Sequence, residues 1–180
     1  MNRNSFNVAY CGVTCALSLI VMFAAIIPSM TYVMPAVSGV VIWTVCGQVN
    51  RKWAFMTYAA AAVMSLFFVP EKESMIYFVM IFGYYPLIRD LIHRFSFAPI
   101  RFLIKLVFFN ATAILAFTIV VKLFVDIGQV LEGMEIFGDY AVFLLLLLGN
   151  GVFFFYDLSL RYVYYAFSNW ITPAIKRKIK

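Results

Sequence analysis

The sequence predicts an all-α membrane protein with six transmembrane helices and both termini in the cytoplasm. Of the 180 residues, 65% are hydrophobic and only 12% are charged. Soluble domains carry about 25% charged residues, so this chain lacks the polar groups to cover a water-exposed surface. The chain contains six apolar runs, each close in length to the about 17 to 25 residues that a helix needs to cross a bilayer. The runs are continuous rather than alternating, which favours helices over strands.

Short polar or proline-containing segments separate the six runs. The first run resembles a signal peptide, but it is long enough to cross a bilayer, so we interpret it as an uncleaved first span. It ends at Pro28, the second at the polar segment 50–52, and the third at Pro70. No low-complexity linker divides the chain, so residues 1–180 are expected to form one domain. The predicted spans are residues 8–27, 33–49, 53–69, 74–92, 102–125 and 140–162.

The distribution of charge fixes the predicted orientation. With the N-terminus in the cytoplasm, the cytoplasmic segments carry twelve lysines and arginines and the outer segments carry two. The corresponding net charges are +10 inside and −4 outside, in agreement with the total of +6. Cytoplasmic loops of membrane proteins are enriched in lysine and arginine. The pattern therefore predicts a multi-pass protein of the cell membrane with both ends inside.

The segment GYYPLIRDLIHRF, residues 83–95, contains an Arg-Asp-His cluster with the only histidine of the chain. Asp90 and Arg94 are four residues apart and can pair on one helix face. Asp157 and Arg161 repeat this spacing in a second Asp-Leu-x-x-Arg-aromatic motif. We interpret both pairs as interfacial ion pairs at the cytoplasmic end of their helices. The alternative is a polar docking surface for a cytoplasmic partner.

Enzymatic activity is not expected. The cluster has no nucleophile with a neighbouring base, and the chain has no glycine-rich phosphate loop. Cys11, Cys15 and Cys46 lie in apolar runs and are interpreted as buried thiols, without a disulfide or a metal. The sequence therefore predicts no cofactor and no metal site.

Polar residues at membrane depth are better indications of function. Pro86 is expected to kink the fourth helix. The polar residues at membrane depth and the kink together predict a small-molecule pocket in the outer half of the last three helices. Its predicted lid is formed by Tyr32 and by Glu71 and Glu73 of the PEKES loop. The alternative for each residue is a hydrogen bond between helices. The candidate ligand-binding residues are Tyr32, Glu71, Tyr77, Tyr84, Tyr85, Lys122 and Asn150.

A small-residue motif marks the first helix. Gly12 and Ala16 are four residues apart, and small residues at this spacing allow another helix to approach closely. The partner helix is either internal or belongs to a second subunit. Gly12 and Ala16 are therefore candidate partner-docking residues, together with Asp90, Arg94, Asp157 and Arg161.

The chain resembles the substrate-binding S components of energy-coupling factor (ECF) transporters. The likeness lies in its length, its six-helix plan, its cytoplasmic ends, the Gly12-x-x-x-Ala16 motif, and the order of "IIP" and "YVMPAVSGVV" in the opening third. It implies a bacterial protein that captures a vitamin-like micronutrient outside the cell. It also implies a transmembrane coupling subunit and two cytoplasmic ATPases as partners, so any use of ATP would take place in those chains.

Two other functions remain open at this stage. A non-catalytic scaffold or assembly subunit of a cell-envelope complex would have a protein partner but no ligand pocket. An enzyme that modifies lipids at the inner leaflet would depend on Asp90 or His93 for turnover.

Overall fold

The computed structural model describes residues 3–27, 29–93, 96–124, 141–167 and 169. Within this part of the chain, all regular secondary structure is helical, which confirms the all-α part of the prediction. The predicted outer loop, residues 126–139, lies outside the described residues. The helices are α1 (Arg3–Phe23) with a 3₁₀ turn (Ala24–Ile26), α2 (Val33–Gln48), α3 (Arg51–Phe68), α4 (Lys72–Tyr77) with a π turn (Phe78–Phe82), α5 (Tyr85–Ile92), α6 (Ala98–Phe124) and α7 (Ala141–Ala166).

Three helical segments of the described chain are long and apolar enough to cross a membrane: Asn4–Ile26, Lys72–Ile92 and Ala98–Leu123. Their burial differs. In the most apolar stretch of Lys72–Ile92, 61% of the residues are buried, compared with 17% in Ala98–Leu123. The fourth predicted span is therefore central and the fifth peripheral. Large apolar side chains such as Phe67 and Phe155 are exposed, a distribution compatible with a membrane protein.

The fourth predicted span is interrupted, as the sequence indicated. Pro86 has no N–H to offer the carbonyl of Phe82, four residues earlier. Just before it, the backbone N–H of Gly83 donates to the carbonyl of Phe78 at 2.8 Å, a five-residue π turn. The hydroxyl of Tyr58 on α3 donates to the carbonyl of Val79 in the same turn at 2.7 Å. The break is thus stabilised by a side chain from a neighbouring helix.

A glycine allows α2 to approach this break closely. A Cβ atom at Gly39 would overlap the carbonyl oxygen of Phe82 and lie 2.8 Å from its carbonyl carbon. Both atoms belong to the backbone and cannot move aside as a side chain would. Directly before Gly39, Ser38 on α2 shares a buried hydrogen bond with Ser18 on α1. Helices α1, α2 and the interrupted span therefore form the tightly packed centre of the protein.

Local signals define the start of α3. Asn50 has extended backbone angles, and its side-chain oxygen accepts a hydrogen bond from the backbone N–H of Trp53 at 2.9 Å. This is an N-cap, which satisfies one of the unpaired donors at the beginning of a helix. A boundary between two helices lies here as the sequence indicated, but only Val49 and Asn50 separate them, and Arg51 and Lys52 belong to the first turn of α3.

Candidate functional site

The carboxylate of Asp157 is the centre of a polar cluster that joins three helices. Its Oδ1 atom accepts hydrogen bonds from the hydroxyl of Tyr85 at 2.6 Å and from Nε of Arg89 at 2.8 Å. Its Oδ2 atom accepts from Nζ of Lys105 at 2.6 Å. Tyr85 and Arg89 lie four residues apart on α5 and therefore on one helix face. One acid of α7 thus holds α5 and α6 together.

The cluster is shielded from the surroundings. The side chains of Arg89, Lys105 and Asp157 are 11%, 13% and 15% exposed. Buried charges are costly unless they are paired and fully hydrogen-bonded. Here two cations and one hydroxyl meet a single carboxylate in short, charge-assisted bonds. Removal of the carboxylate would leave two buried cations without a counter-charge.

His93, at the end of α5, extends the cluster towards the surface. Its Nε2 atom lies 3.2 Å from Nζ of Lys105. Partial burial and the positive charges of Lys105 and Arg89 hold the pKa of His93 below its usual value of 6.5. The neutral imidazole is the form that can accept a hydrogen bond from the lysine.

This arrangement corrects the predicted pairing of Asp157. The sequence spacing favoured Arg161, four residues later on the same helix. The carboxylate instead contacts Arg89 and Lys105 from other helices, while Arg161 is exposed. Helix–helix packing brings the two cations to the protein-facing side of α7, where a shielded pair is stronger than a solvent-exposed one. In the matching motif Asp90 is half-buried, and Arg94 lies outside the described residues.

Sequence reasoning missed Arg89 and Lys105 as partners of Asp157. A signal was present, because Lys105 is a cation inside the fifth predicted span, and charges at such a position usually have a partner. The spacing of Tyr85 and Arg89, one helical turn apart next to Pro86, was a second signal.

Farther along α6 and α7 from the Asp157 cluster, the side-chain amides of Asn110 and Asn150 form a pair. Nδ2 of Asn110 donates to Oδ1 of Asn150 at 3.0 Å, and Nδ2 of Asn150 donates to Oδ1 of Asn110 at 2.9 Å. The second N–H of each amide donates to the backbone of its own helix, to Leu106 or Leu146. Every amide N–H is therefore used. This geometry matches the helix–helix hydrogen bond that was the alternative to ligand binding for Asn150.

A cleft of about 200 Å³ lies between α6 and α7, next to the Asp157 cluster. Its polar end is formed by Lys105 and Asp157 and its deeper end by Asn150. The walls between them are largely aromatic. The lining residues are Phe102, Lys105, Leu106, Asn150, Phe153, Phe154 and Asp157.

At the opposite end of the interrupted span, two predicted lid segments come into contact. The hydroxyl of Tyr32, just before α2, donates to Oε1 of Glu73 on α4 at 2.7 Å. The ring of Tyr32 meets the ring of Tyr77 edge-on, with centroids 5.1 Å apart. Partial burial and the hydrogen bond to Glu73 raise the pKa of Tyr32. Ser74, beside Glu73 in sequence, has a fully buried hydroxyl that finds no hydrogen-bond partner within the described part of the chain.

The remaining candidate ligand residues do not converge on one pocket. Glu71 immediately precedes α4, and Tyr84 packs against the rings of Tyr58 and Phe108. Lys122 is exposed in the last turn of α6. Tyr85, which the sequence assigned to an outer pocket, belongs to the Asp157 cluster instead.

The small-residue motif of α1 is exposed. Gly12 and Ala16 both lie on the surface, and a Cβ atom added at Gly12 would have no neighbour within 4 Å. Within the described chain, therefore, no helix packs on Gly12, although Ser18 of the same helix contacts Ser38 of α2.

The described residues contain no group of three or more histidine, cysteine, aspartate or glutamate side chains suited to a metal ion. Comparisons of the chain with protein-family models, with curated proteins and with solved structures give no match.

Proposed function

We propose that this chain is the membrane-embedded, substrate-binding subunit of a micronutrient uptake transporter, with six spans and both ends in the cytoplasm. The three long apolar segments supply spans one, four and five, and α2, α3 and α7 supply the others. Helix α7 has 26 residues and a length of about 39 Å, more than the bilayer core of about 30 Å. Helix α2 has 16 residues and is about 24 Å long, which is shorter than the bilayer core. A span of this length is accommodated by local thinning of the bilayer.

The observation that carries the proposal is the contact between Tyr32 and Glu73. It joins the first outer loop to the start of the fourth span, at the end far from the Asp157 cluster. Glu73 and Arg89 are 16 residues apart in sequence, or about 24 Å along a helix. A polar, aromatic cluster at the outer end is the expected place for the capture of a solute, while the Asp157 cluster stabilises the inner end. The buried hydroxyl of Ser74, which has no partner among the described residues, adds a hydrogen-bonding group at the outer end.

The exposed face of α1 supports a partner in the membrane. Gly12 and Ala16 present a small-residue surface on which another transmembrane helix can pack closely. In the proposed function this helix belongs to a coupling subunit, which works with cytoplasmic ATPases. Binding rather than catalysis is then the role of this chain.

A ligand-stabilisation experiment tests the proposal. The purified protein in detergent is heated with each of a panel of water-soluble vitamins, because a compound that binds only the folded state raises Tm. At least one compound is expected to raise Tm, and Glu73→Gln and Tyr32→Phe are expected to reduce the shift. Tyr162→Phe, at an exposed tyrosine of α7, is the matched control and should retain it.

Co-purification from native membranes tests the partner. The proposal requires capture of a membrane subunit together with ATPases, and loss of this capture in Gly12→Leu. A protein partner without any stabilising small molecule would instead indicate the scaffold function and would contradict the transporter.

A further inference from the structure

The cleft between α6 and α7 opens to the surface between two aromatic side chains. Phe102 and Phe154 are 55% and 54% exposed, and their rings meet with centroids 6.5 Å apart. Leu106 and Phe153 line the deeper part. In a chain whose α6 crosses the membrane, this mouth faces the acyl chains of lipids. The occupant of its apolar part must therefore be compatible with hydrocarbon.

The volume of the cleft favours an occupant that is only partly enclosed. Pockets that enclose a small molecule usually measure about 300 to 1,000 Å³. The cleft measures about 200 Å³ and is open on one side. It is thus suited to one segment of a molecule whose remainder lies in the bilayer.

The polar end of the cleft carries an excess of positive charge. Lys105 lines the cleft. Arg101, which is half-buried, lies four residues earlier on α6 and therefore on the same helix face, although it is not one of the lining residues. Lys105, Arg89 and Arg101 all lie near enough to His93 to lower its pKa, and Asp157 is the acid that acts against them. Lys105 uses two of its three N–H groups, on Asp157 and His93, so one remains for an anion.

We infer that this cleft binds an acidic phospholipid of the cytoplasmic leaflet. The phosphate lies at Arg101 and Lys105, and one acyl chain follows Phe102 and Phe154 towards the centre of the bilayer. Basic sites between transmembrane helices on the cytoplasmic side are suited to acidic headgroups. This site goes beyond the proposed function, because its ligand is a resident lipid rather than a transported solute.

Native mass spectrometry tests the site directly. The protein is reconstituted in nanodiscs with equal amounts of phosphatidylglycerol and phosphatidylcholine, released, and the retained lipids are counted. The wild type is expected to retain mainly phosphatidylglycerol. Arg101→Gln is expected to reduce this preference about fivefold, the effect of one cation next to an acidic lipid. Its Tm is measured in parallel to verify that it remains folded.

A matched variant separates the cleft from the general charge of the surface. Lys52→Gln removes one positive charge from an exposed side chain at the start of α3, on the same predicted side of the membrane. It should leave the lipid preference unchanged. Equal retention of the two lipids by the wild type, or an equal loss in Lys52→Gln and Arg101→Gln, would overturn the inference.

Inorganic phosphate distinguishes a lipid from a soluble anion. Millimolar phosphate is expected to have little effect on Tm in detergent, whereas added phosphatidylglycerol raises it. If phosphate alone raises Tm as much as the lipid does, the site recognises a soluble anion and the lipid assignment is wrong. These measurements involve neither Tyr32 nor Glu73, so their failure leaves the proposed function standing.

Discussion

Nζ of Lys105 lies 2.6 Å from Oδ2 of Asp157, in an ion pair that joins α6 to α7. Asp157→Ala would leave both Lys105 and Arg89 buried without a counter-charge. Loss of one partner of such a pair destabilises proteins by about 3 to 5 kcal/mol. We therefore expect a large fall in Tm in detergent.

Two further variants show whether this effect depends on charge pairing. Arg161→Gln changes an exposed residue of the same helix and should alter stability by less than about 0.5 kcal/mol. The double variant Asp157→Leu/Lys105→Met removes both members of one pair and should be less destabilised than Asp157→Leu alone. If Arg161→Gln proves as harmful as Asp157→Ala, the pairing of Asp157 with Lys105 and Arg89 is wrong.

Gly39 provides a steric test of the crossing between α2 and the interrupted span. Gly39→Ala would place a methyl group on the backbone carbonyl of Phe82, and such overpacking costs about 1 to 3 kcal/mol. The matched control is Gly12→Ala, where the added methyl has open space. Since alanine is the better helix former by about 1 kcal/mol, Gly12→Ala should leave Tm unchanged or raise it. Equal effects of the two variants would argue against the close crossing.

The pair of Asn110 and Asn150 predicts strong coupling between two positions 40 residues apart. Either Asn110→Leu or Asn150→Leu alone leaves the other amide without its partner, so each should destabilise the protein. The double variant should recover part of the loss. Double-mutant cycles for polar pairs in membrane proteins give about 0.6 kcal/mol on average and up to about 1.7 kcal/mol. Strictly additive effects on the free energy of unfolding would contradict the pairing.

His93 is the only histidine, so its titration is free of overlap in a histidine-labelled NMR spectrum, provided that the purification tag contains none. We expect its pKa to lie below 6.5 because of partial burial and the charges of Lys105 and Arg89. Lys105→Gln should raise this pKa, and Lys52→Gln should not. A wild-type value at or above 6.5 would show that the imidazole is not placed beside these cations.

The same shift has a consequence for stability. Between the lowered pKa of the folded protein and the unfolded value of about 6.5, the unfolded chain binds more protons. The free energy of unfolding therefore rises with pH across this window, and the contribution of His93 is lost as the pH falls through it. His93→Asn should flatten this part of the stability profile, as measured by chemical denaturation at several pH values.

The sequence predicts the helical elements well because their signals are local. Apolar runs, Pro70 and the N-cap at Asn50 all act within a few residues of their own position. The interruption near Pro86 was predicted for the same reason, although its form as a π turn was not. Tyr32 and Glu73 were both assigned to the predicted lid, but the hydrogen bond between them was not predicted, and Glu73 lies on α4 rather than in a loop.

The partners of Asp157 were not predicted because helix rotation decides them. Arg161 is the local choice at a spacing of four, but Lys105 and Arg89 lie 52 and 68 residues away. Spacing within one helix does not reveal which of its faces is turned towards a neighbour. The same limit applies to Asn150, whose amide is as compatible with a ligand as with Asn110 until the two helices are placed.

The π turn at Phe78–Phe82 also determines the direction in which the later side chains of the fourth span point around the helix axis. A π turn takes up one residue more than an α turn, and one residue corresponds to about 100° of rotation. With this offset, Arg89 is turned inward to Asp157 and Asp90 stands beside it, half-buried. If the same sequence formed an uninterrupted α-helix, each later residue would be rotated by about 100°, and Ile88 would take the place of Arg89 opposite Asp157. The irregularity at one end of the helix thus determines whether a cation or an apolar side chain meets Asp157 at the other end.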